Sequence, residues 1–171
     1  IATTRSAAKR PLLESLKPDH IIVTDEEDLV ARVNAITGGR GVDFVWDAVG
    51  GSKFPKLVEA TARYGQIITY GALASDAVSS TPMPWFSLIA KGIAIRGYVL
   101  FELTYDPRRF GDVTPYHPTA YDAAKRYVLE GVASGNLKPA LAESFPLDQI
   151  VKAHRYVEEN QKLGKVVVRV N

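Results

Sequence analysis

Apolar and polar positions alternate along this chain in short blocks, and the period changes from block to block. Ile1–Thr4 reads as the end of a strand. Ala7–Leu16 carries Ala8, Leu12, Leu13 and Leu16 at helical spacing, with Ser6 placed to cap it. His20–Thr24 is a short buried strand. The next helix carries Leu29, Val30, Val33 and Ile36 and stops at Gly38-Gly39; Thr24 or Asp25 caps it, and Asp25–Asp28 form an acidic first turn. Val42–Ala48 is a β-branched and aromatic run ending at Gly50-Gly51, Lys53–Tyr64 is a helix, and Gln66–Tyr70 is a strand. Ala72–Pro84 is rich in small and polar residues and reads as a loop, Trp85–Lys91 as a short helix and Ile93–Phe101 as a strand. After an irregular, proline-containing stretch over Thr104–Pro118, the pattern predicts a helix at Ala120–Ser134, a strand at Leu137–Phe145, a helix at Leu147–Asn160 and a last strand at Gly164–Val170.

Strands that alternate with helices make a parallel sheet, because each crossover is right-handed. The fold class is therefore α/β, a doubly wound, Rossmann-like sheet. Ligands of such sheets lie at the carboxyl ends of the strands, so Gly41–Gly51 and Gly65–Ala72 draw attention first.

Composition narrows the field. A hydrophobic content of 46% in 171 residues suffices for one domain with a core. Net charge is +2, from 21 basic and 19 acidic residues, which gives no reason to expect nucleic acid or an anionic membrane as partner. No apolar run approaches the roughly 20 residues of a membrane span. Cysteine is absent, which excludes disulfides and thiolate chemistry and fits a cytoplasmic location. His20, His117 and His154 lack metal-ligand spacing, so no zinc site is expected in this chain.

The motifs TTRSAAKR, DHIIVT, ITGGRGVDFVWDAVGG, GQIITYGAL, IAIRGYVLFE and VKAHRYVEENQKLGKVVVRV, in that order, resemble the carboxyl half of a medium-chain dehydrogenase/reductase. The nearest branch is the quinone oxidoreductase-like group and related zinc-type alcohol dehydrogenase-like proteins. The resemblance covers essentially the whole chain. It implies a sheet of order 3-2-1-4-5-6 whose first, central strand and Gly-rich turn are missing here. The strands on either side of that gap would carry unpaired backbone groups, each costing about 1–3 kcal/mol if buried, so the chain is expected to be a fragment or to need a partner. On this reading residues 1–134 form a partial dinucleotide-binding domain, and 135–171 return to a missing catalytic domain.

The resemblance also assigns roles. Arg5, Ser6 and Lys9 follow the second strand of the full fold, where adenosine ribose lies. An acid there would select NAD, and none stands between Ile1 and Leu13. Cations and hydroxyls suit the 2′-phosphate of NADP(H); the alternative is a solvated basic turn. Thr24 stands where quinone oxidoreductases often have a Tyr, and it either touches that phosphate or only caps a helix. Val49 and Gly50 would flank the cleft. Asp47 beside them reads as a buried carboxylate that accepts from loop amides, with a general base as the weaker alternative. Tyr70, Gly71 and Ala72 would flank the nicotinamide ribose, Tyr70 alternatively serving as core. Leu100 and Phe101 would meet the nicotinamide, and their strand, Ile93–Phe101, would pair two copies of the chain. Lys165 would reach pyrophosphate or ribose, or be a solvated strand start. No catalytic acid or base can be named.

The expected activity is that of an NADP(H)-dependent oxidoreductase moving hydride to or from a quinone, carbonyl or activated alkene, the fragment alone being inactive. The rival readings are a non-catalytic nucleotide-binding or structural module and part of an NAD-linked zinc alcohol dehydrogenase.

Overall fold

A computed structural model describes residues 1–100, 118–159 and 164–170. The chain divides into two units, Ile1–Tyr116 and His117–Asn171.

The first unit opens with β1 (Ala2–Thr4), a 3₁₀ turn at Ala7–Lys9, α1 (Arg10–Ser15) and β2 (Ile21–Val23). β1 and β2 run parallel, with Ala2 opposite Ile21 and Thr4 opposite Val23. The helix expected over Ala7–Leu16 thus begins as a 3₁₀ turn and becomes α-helical only at Arg10, with Pro11 in its first turn. α2 (Leu29–Thr37) starts later than its acidic run suggested. Asp28 is its cap, accepting from the N–H of Ala31 at 2.9 Å, so Thr24 and Asp25 are not. The cause is competition: a short acidic side chain placed to bond the backbone stops the helix from extending upstream. α2 ends at Gly38, in the left-handed conformation at φ 61°.

β3 (Val42–Asp47), α3 (Phe54–Ala60), β4 (Thr61–Thr69), α4 (Trp85–Lys91) and β5 (Ala94–Gly97) follow. β3, β4 and β5 form a second parallel sheet in that order. α3 stops at Ala60, four residues short of the expected Tyr64. Thr61 is already extended, its hydroxyl donates to the carbonyl of Leu57 at 2.7 Å, and it pairs with Val42. Lys91 then closes the helix end. Its ammonium donates to the carbonyls of Val58, Glu59 and Thr61 at 3.2, 2.6 and 2.9 Å, the side-chain version of a C-cap. β5 is shorter than the expected Ile93–Phe101.

Phe54, Val58, Ile67 and Leu88 form the core under this sheet, with Val45, Leu57 and Ile93 packed against them. A second cluster of Ile22, Val33 and Ala60 ties β2 and α2 to the end of α3. The opposite face of β3 shows Phe44 and Trp46, 63% and 66% exposed. Trp46 meets Tyr70 edge-to-face at 6.4 Å.

The two sheets are separate. Among the described residues β1 pairs only with β2, and β3 only with β4. This is the division expected of an order 3-2-1-4-5-6 without its strand 1, with β2-β1 on one side and β3-β4-β5 on the other.

The second unit holds α5 (Pro118–Ala133), β6 (Leu141–Pro146), α6 (Ile150–Glu158) and β7 (Lys165–Arg169). β6 and β7 pair in parallel, and buried Phe145 and Ala153 join α6 to β6. The strand expected from Leu137 starts at Leu141 instead, because Leu137 turns back onto α5. Its N–H donates to the carbonyl of Gly131 at 2.8 Å, and its side chain fills the place a Cβ on Gly131 would take.

Candidate functional site

Parallel strands deliver their carboxyl ends to one edge of a sheet, and there the first unit presents its loops. At the end of β1, the N–H of Thr24 donates to the carbonyl of Thr4 at 2.8 Å, and the Thr24 hydroxyl donates to it at 3.4 Å. Thr4 in turn donates through its hydroxyl to the carbonyl of Ser6 at 3.2 Å. Ser6 accepts from the N–H of Ala8 at 3.3 Å, as expected of a cap, and its hydroxyl hydrogen is still able to donate. Arg5 and Ser6 are exposed and Lys9 half-buried. Among the described residues no carboxylate forms an ion pair with Arg5 or Lys9. Two cations and a hydroxyl with no anion to neutralise them fit a phosphate ester.

Glu27 escaped the sequence reading. It returns to the end of β2, accepts from the N–H of Val23 at 2.9 Å and pairs with Arg32 at 2.7 Å and Arg10 at 3.6 Å. The Val23 N–H and then the two guanidinium groups hold its carboxyl below the usual range. A carboxylate is thus present at the carboxyl end of β2, but the chain's own donors engage it. Within the acidic run Asp25–Asp28, nothing marked this residue out.

The turn after β3 is built on Asp47. This residue is 4% exposed. Its carboxylate accepts from the N–H of Val49 at 2.8 Å and from that of Gly50 at 3.1 and 3.2 Å. It is the buried acceptor of loop amides that the sequence suggested. The next two amides bond to the loop after β4. Gly51 N–H donates to the hydroxyl of Thr81 at 3.0 Å, and Ser52 N–H to the carboxylate of Asp76 at 3.1 Å. Four consecutive N–H groups, Val49 through Ser52, are therefore satisfied within the chain.

The strand pairing continues past the strands. Tyr70, Leu73 and Ala74 donate through their N–H groups to the carbonyls of Asp47, Ala48 and Val49 at 2.9, 3.2 and 3.0 Å. Gly71 is needed for this approach, since a Cβ there would lie 2.6 Å from the carbonyl oxygen of Ala48. Tyr70 is 49% exposed, so its reading as core does not hold: it lies past the end of β4 and packs on Trp46, away from the core. Val49 and Ala72 are exposed beside it, and Gly50 is in the left-handed region at φ 63°.

The structure thus brings Arg5, Ser6, Lys9 and Thr24 together at one end of the first unit's sheets, and Val49, Gly50, Tyr70, Gly71 and Ala72 at the paired turns after β3 and β4. Leu100 is exposed, and Phe101 lies outside the described residues. Lys165 opens β7 in the second unit, exposed, with its N–H on the carbonyl of Ala140 at 2.7 Å. Among the described residues no three His, Cys, Asp or Glu side chains gather as metal ligands, and no helix is long and apolar enough to cross a membrane.

Comparison with known proteins agrees with this architecture. The family described as zinc-binding dehydrogenase matches residues 16–168. A 2-haloacrylate reductase from a Burkholderia species is 24% identical over 98% of this chain and 47% of its own length. A probable quinone oxidoreductase of Schizosaccharomyces pombe is 26% identical over 100% of this chain and 47% of its own. The chain spans about half the length of these relatives. The crystal structure of an NAD-dependent alcohol dehydrogenase superposes with a TM-score of 0.76 at 26% identity, over 99% of this chain and 43% of that one. With that family's model spanning residues 16–168, the chain belongs to the zinc-binding dehydrogenase family, within the medium-chain dehydrogenase/reductase lineage that its motifs resemble.

Proposed function

We propose that this chain is the dinucleotide-binding part of an NADP(H)-dependent oxidoreductase that moves hydride to or from a quinone, carbonyl or activated alkene. The family is one of nicotinamide-dependent dehydrogenases. The names of its relatives, a haloacrylate reductase and a quinone oxidoreductase, point to an alkene and a quinone as acceptors. The observation that carries NADP(H) over NAD(H) is the charge at the end of β1, where Arg5 and Lys9 lack a carboxylate partner among the described residues and Glu27 is engaged by Arg10 and Arg32.

In this reading Arg5, Ser6 and Lys9 bind the 2′-phosphate, and Thr24 braces the end of β1 under them. The dinucleotide supplies the hydride, and the chain's own part is to bind and orient it. Val49-Gly50 and Tyr70–Ala72 form the wall along the rest of the cofactor. The amides of Val49, Gly50 and Tyr70 are bonded within the chain, so this part of the wall offers shape and apolar surface while positive charge stays at the ribose end. Leu100, Phe101 and Lys165 complete the cofactor set in the proposal. Two copies of the chain would pair through residues 93–101, where β5 is, among the described residues, the last strand of its sheet and exposed along its length. A cytoplasmic location belongs to the same reading, supported by the lack of cysteine.

The test is turnover by the full-length protein with NADPH or NADH against a quinone, an enone and a primary alcohol. NADPH oxidation with the quinone or the enone is the expected result. Alcohol oxidation with NAD would replace this reading with that of an NAD-linked alcohol dehydrogenase, and binding without turnover would leave a non-catalytic module.

A further inference from the structure

The loop after β4 has no apolar anchor. From Ala72 to Met83 no residue is buried, and Leu73 and Val78 are 79% and 92% exposed. A segment of this kind is normally loose, since ordering it costs backbone entropy that no burial offsets. Yet its start is held by the N–H groups of Leu73 and Ala74, and beyond Ala74 it is tied to the turn after β3 by two side chains that reach back across 24 and 30 residues. Asp76 accepts from Ser52 N–H, and Thr81 accepts from Gly51 N–H while donating its hydroxyl to the carbonyl of Ala77 at 2.8 Å. Ser52 holds the Asp76 carboxyl below the ordinary range, through its side chain and its N–H.

Gly51 is shaped for this contact. Its φ is 74°, and a Cβ would overlap the Asp76 carboxylate and lie 2.9 Å from the Cβ of Ala74. Thr81 also sits over Gly50, its hydroxyl oxygen 3.6 Å from where a Cβ would be. Backbone bonds from Tyr70, Leu73 and Ala74 join the two turns as far as Val49, and these side chains extend the tie over Gly51 and Ser52.

We infer that Asp76 and Thr81 are positioning residues that latch the loop after β4 onto Gly51-Ser52 and so, adding to the backbone bonds between the two turns, stiffen Val49-Gly50 and Tyr70–Ala72 as a wall for the dinucleotide. The inference rests on the proposed function for the identity of the ligand. Neither residue touches the ligand; both act through the backbone they hold.

The experiment uses the full-length protein and its variants Asp76→Ala, Asp76→Asn, Thr81→Val and Thr81→Ser. Amide exchange at Gly51 and Ser52 reads the latch itself, and kcat and KM for NADPH read its effect on the wall. Loss of one charge-assisted or buried acceptor is worth about a tenfold change, so Asp76→Ala is expected to speed exchange at Ser52, and Thr81→Val at Gly51, by about that factor. KM for NADPH rises by a similar factor while kcat changes less than about threefold, since the chemistry is untouched. Asp76→Asn and Thr81→Ser keep an acceptor in place and recover most of both effects. If Asp76→Ala does not fold, Asp76→Asn and the Thr81 pair carry the same comparison. Unchanged exchange overturns the latch, and faster exchange with unchanged KM overturns its effect on the wall and with it the inference; either result leaves the proposed function standing. A wild-type protein that protects Gly51 and Ser52 from exchange but binds neither dinucleotide overturns the function and, with it, this role.

Discussion

Replacing Asp47 with Ala strips the turn after β3 of its internal acceptor. The carboxylate sits 4% exposed and takes the N–H groups of Val49 and Gly50 at 2.8 and 3.1 Å. Neither donor has another acceptor in the turn, because the neighbouring Thr81 and Asp76 already serve Gly51 and Ser52. Orphaning a buried or half-buried donor costs about 1–3 kcal/mol, so two donors give about 2–6 kcal/mol, reduced somewhat by removing a desolvated charge. For a chain of this size, that lowers Tm by about 5–15 °C. Asp47→Asn keeps one carbonyl oxygen for Val49 and is expected to lose about half as much. The assay is urea denaturation of the full-length protein at pH 7, with m-values compared so that only changes in midpoint are read as stability. An Asp47→Ala midpoint equal to the wild type would refute the argument that this side chain organises the turn. Asp47→Asn with native stability but no turnover would show a general base where we place a structural acceptor.

Three further outcomes are expected. Gly41→Ala should destabilise by about 3 kcal/mol or more and Gly39→Ala by about 1 kcal/mol: both have φ 82°, but a Cβ at Gly41 would lie 2.7 Å from the Ala60 carbonyl oxygen, whereas one at Gly39 meets nothing within 4 Å. Denaturant midpoints that rank the two equally would contradict this. Lys91→Met leaves the carbonyls of Val58, Glu59 and Thr61 without their shared donor and should cost about 1–3 kcal/mol, with faster amide exchange in the last turn of α3. The carboxyls of Glu27, Asp28, Asp43 and Asp76 are each held below the ordinary range, first by hydrogen bonds from Val23, Ala31, Arg40 and Ser52 respectively. Their contribution is fully present above the unfolded carboxylate range near pH 4 and is lost as pH falls through the lowered folded values, because there the unfolded chain binds more protons. A urea midpoint that falls between pH 5 and pH 3, with a shallower fall in Glu27→Gln, is the expected result.

Local pattern carried the parallel fold far. The β-branched run at Val42 and the cap-free apolar stretch at Trp85–Lys91 set their elements within a residue, and the glycine after α4 stops it where the pattern stops. The break in the sheet followed from the strand order that the family resemblance implies, and the role of Asp47 from a carboxylate placed at a strand end before two amides. What stayed hidden depends on contacts distant in sequence. α3 ends early because Thr61 enters the sheet and Lys91, some thirty residues on, caps it. Glu27 lies in an acidic run that reads as helix, and only the fold brings it to Val23 and the two arginines. Leu137 continues the strand pattern in sequence, and nothing local announces its docking on Gly131. The tethers from Asp76 and Thr81 are likewise invisible in a stretch of small polar residues, where composition says loop and stops.

Cofactor selection at the end of β1 is tested most directly by calorimetric titration of the full-length protein with NADPH and with NADH, repeated on the Arg5→Ala/Lys9→Ala double variant. The account predicts tighter binding of NADPH by the wild type, and a double variant that loses about ten- to a hundredfold in NADPH affinity while NADH binding stays as it was. Equal affinity for the two dinucleotides in the wild type, or an undiminished NADPH preference without the two cations, would contradict it.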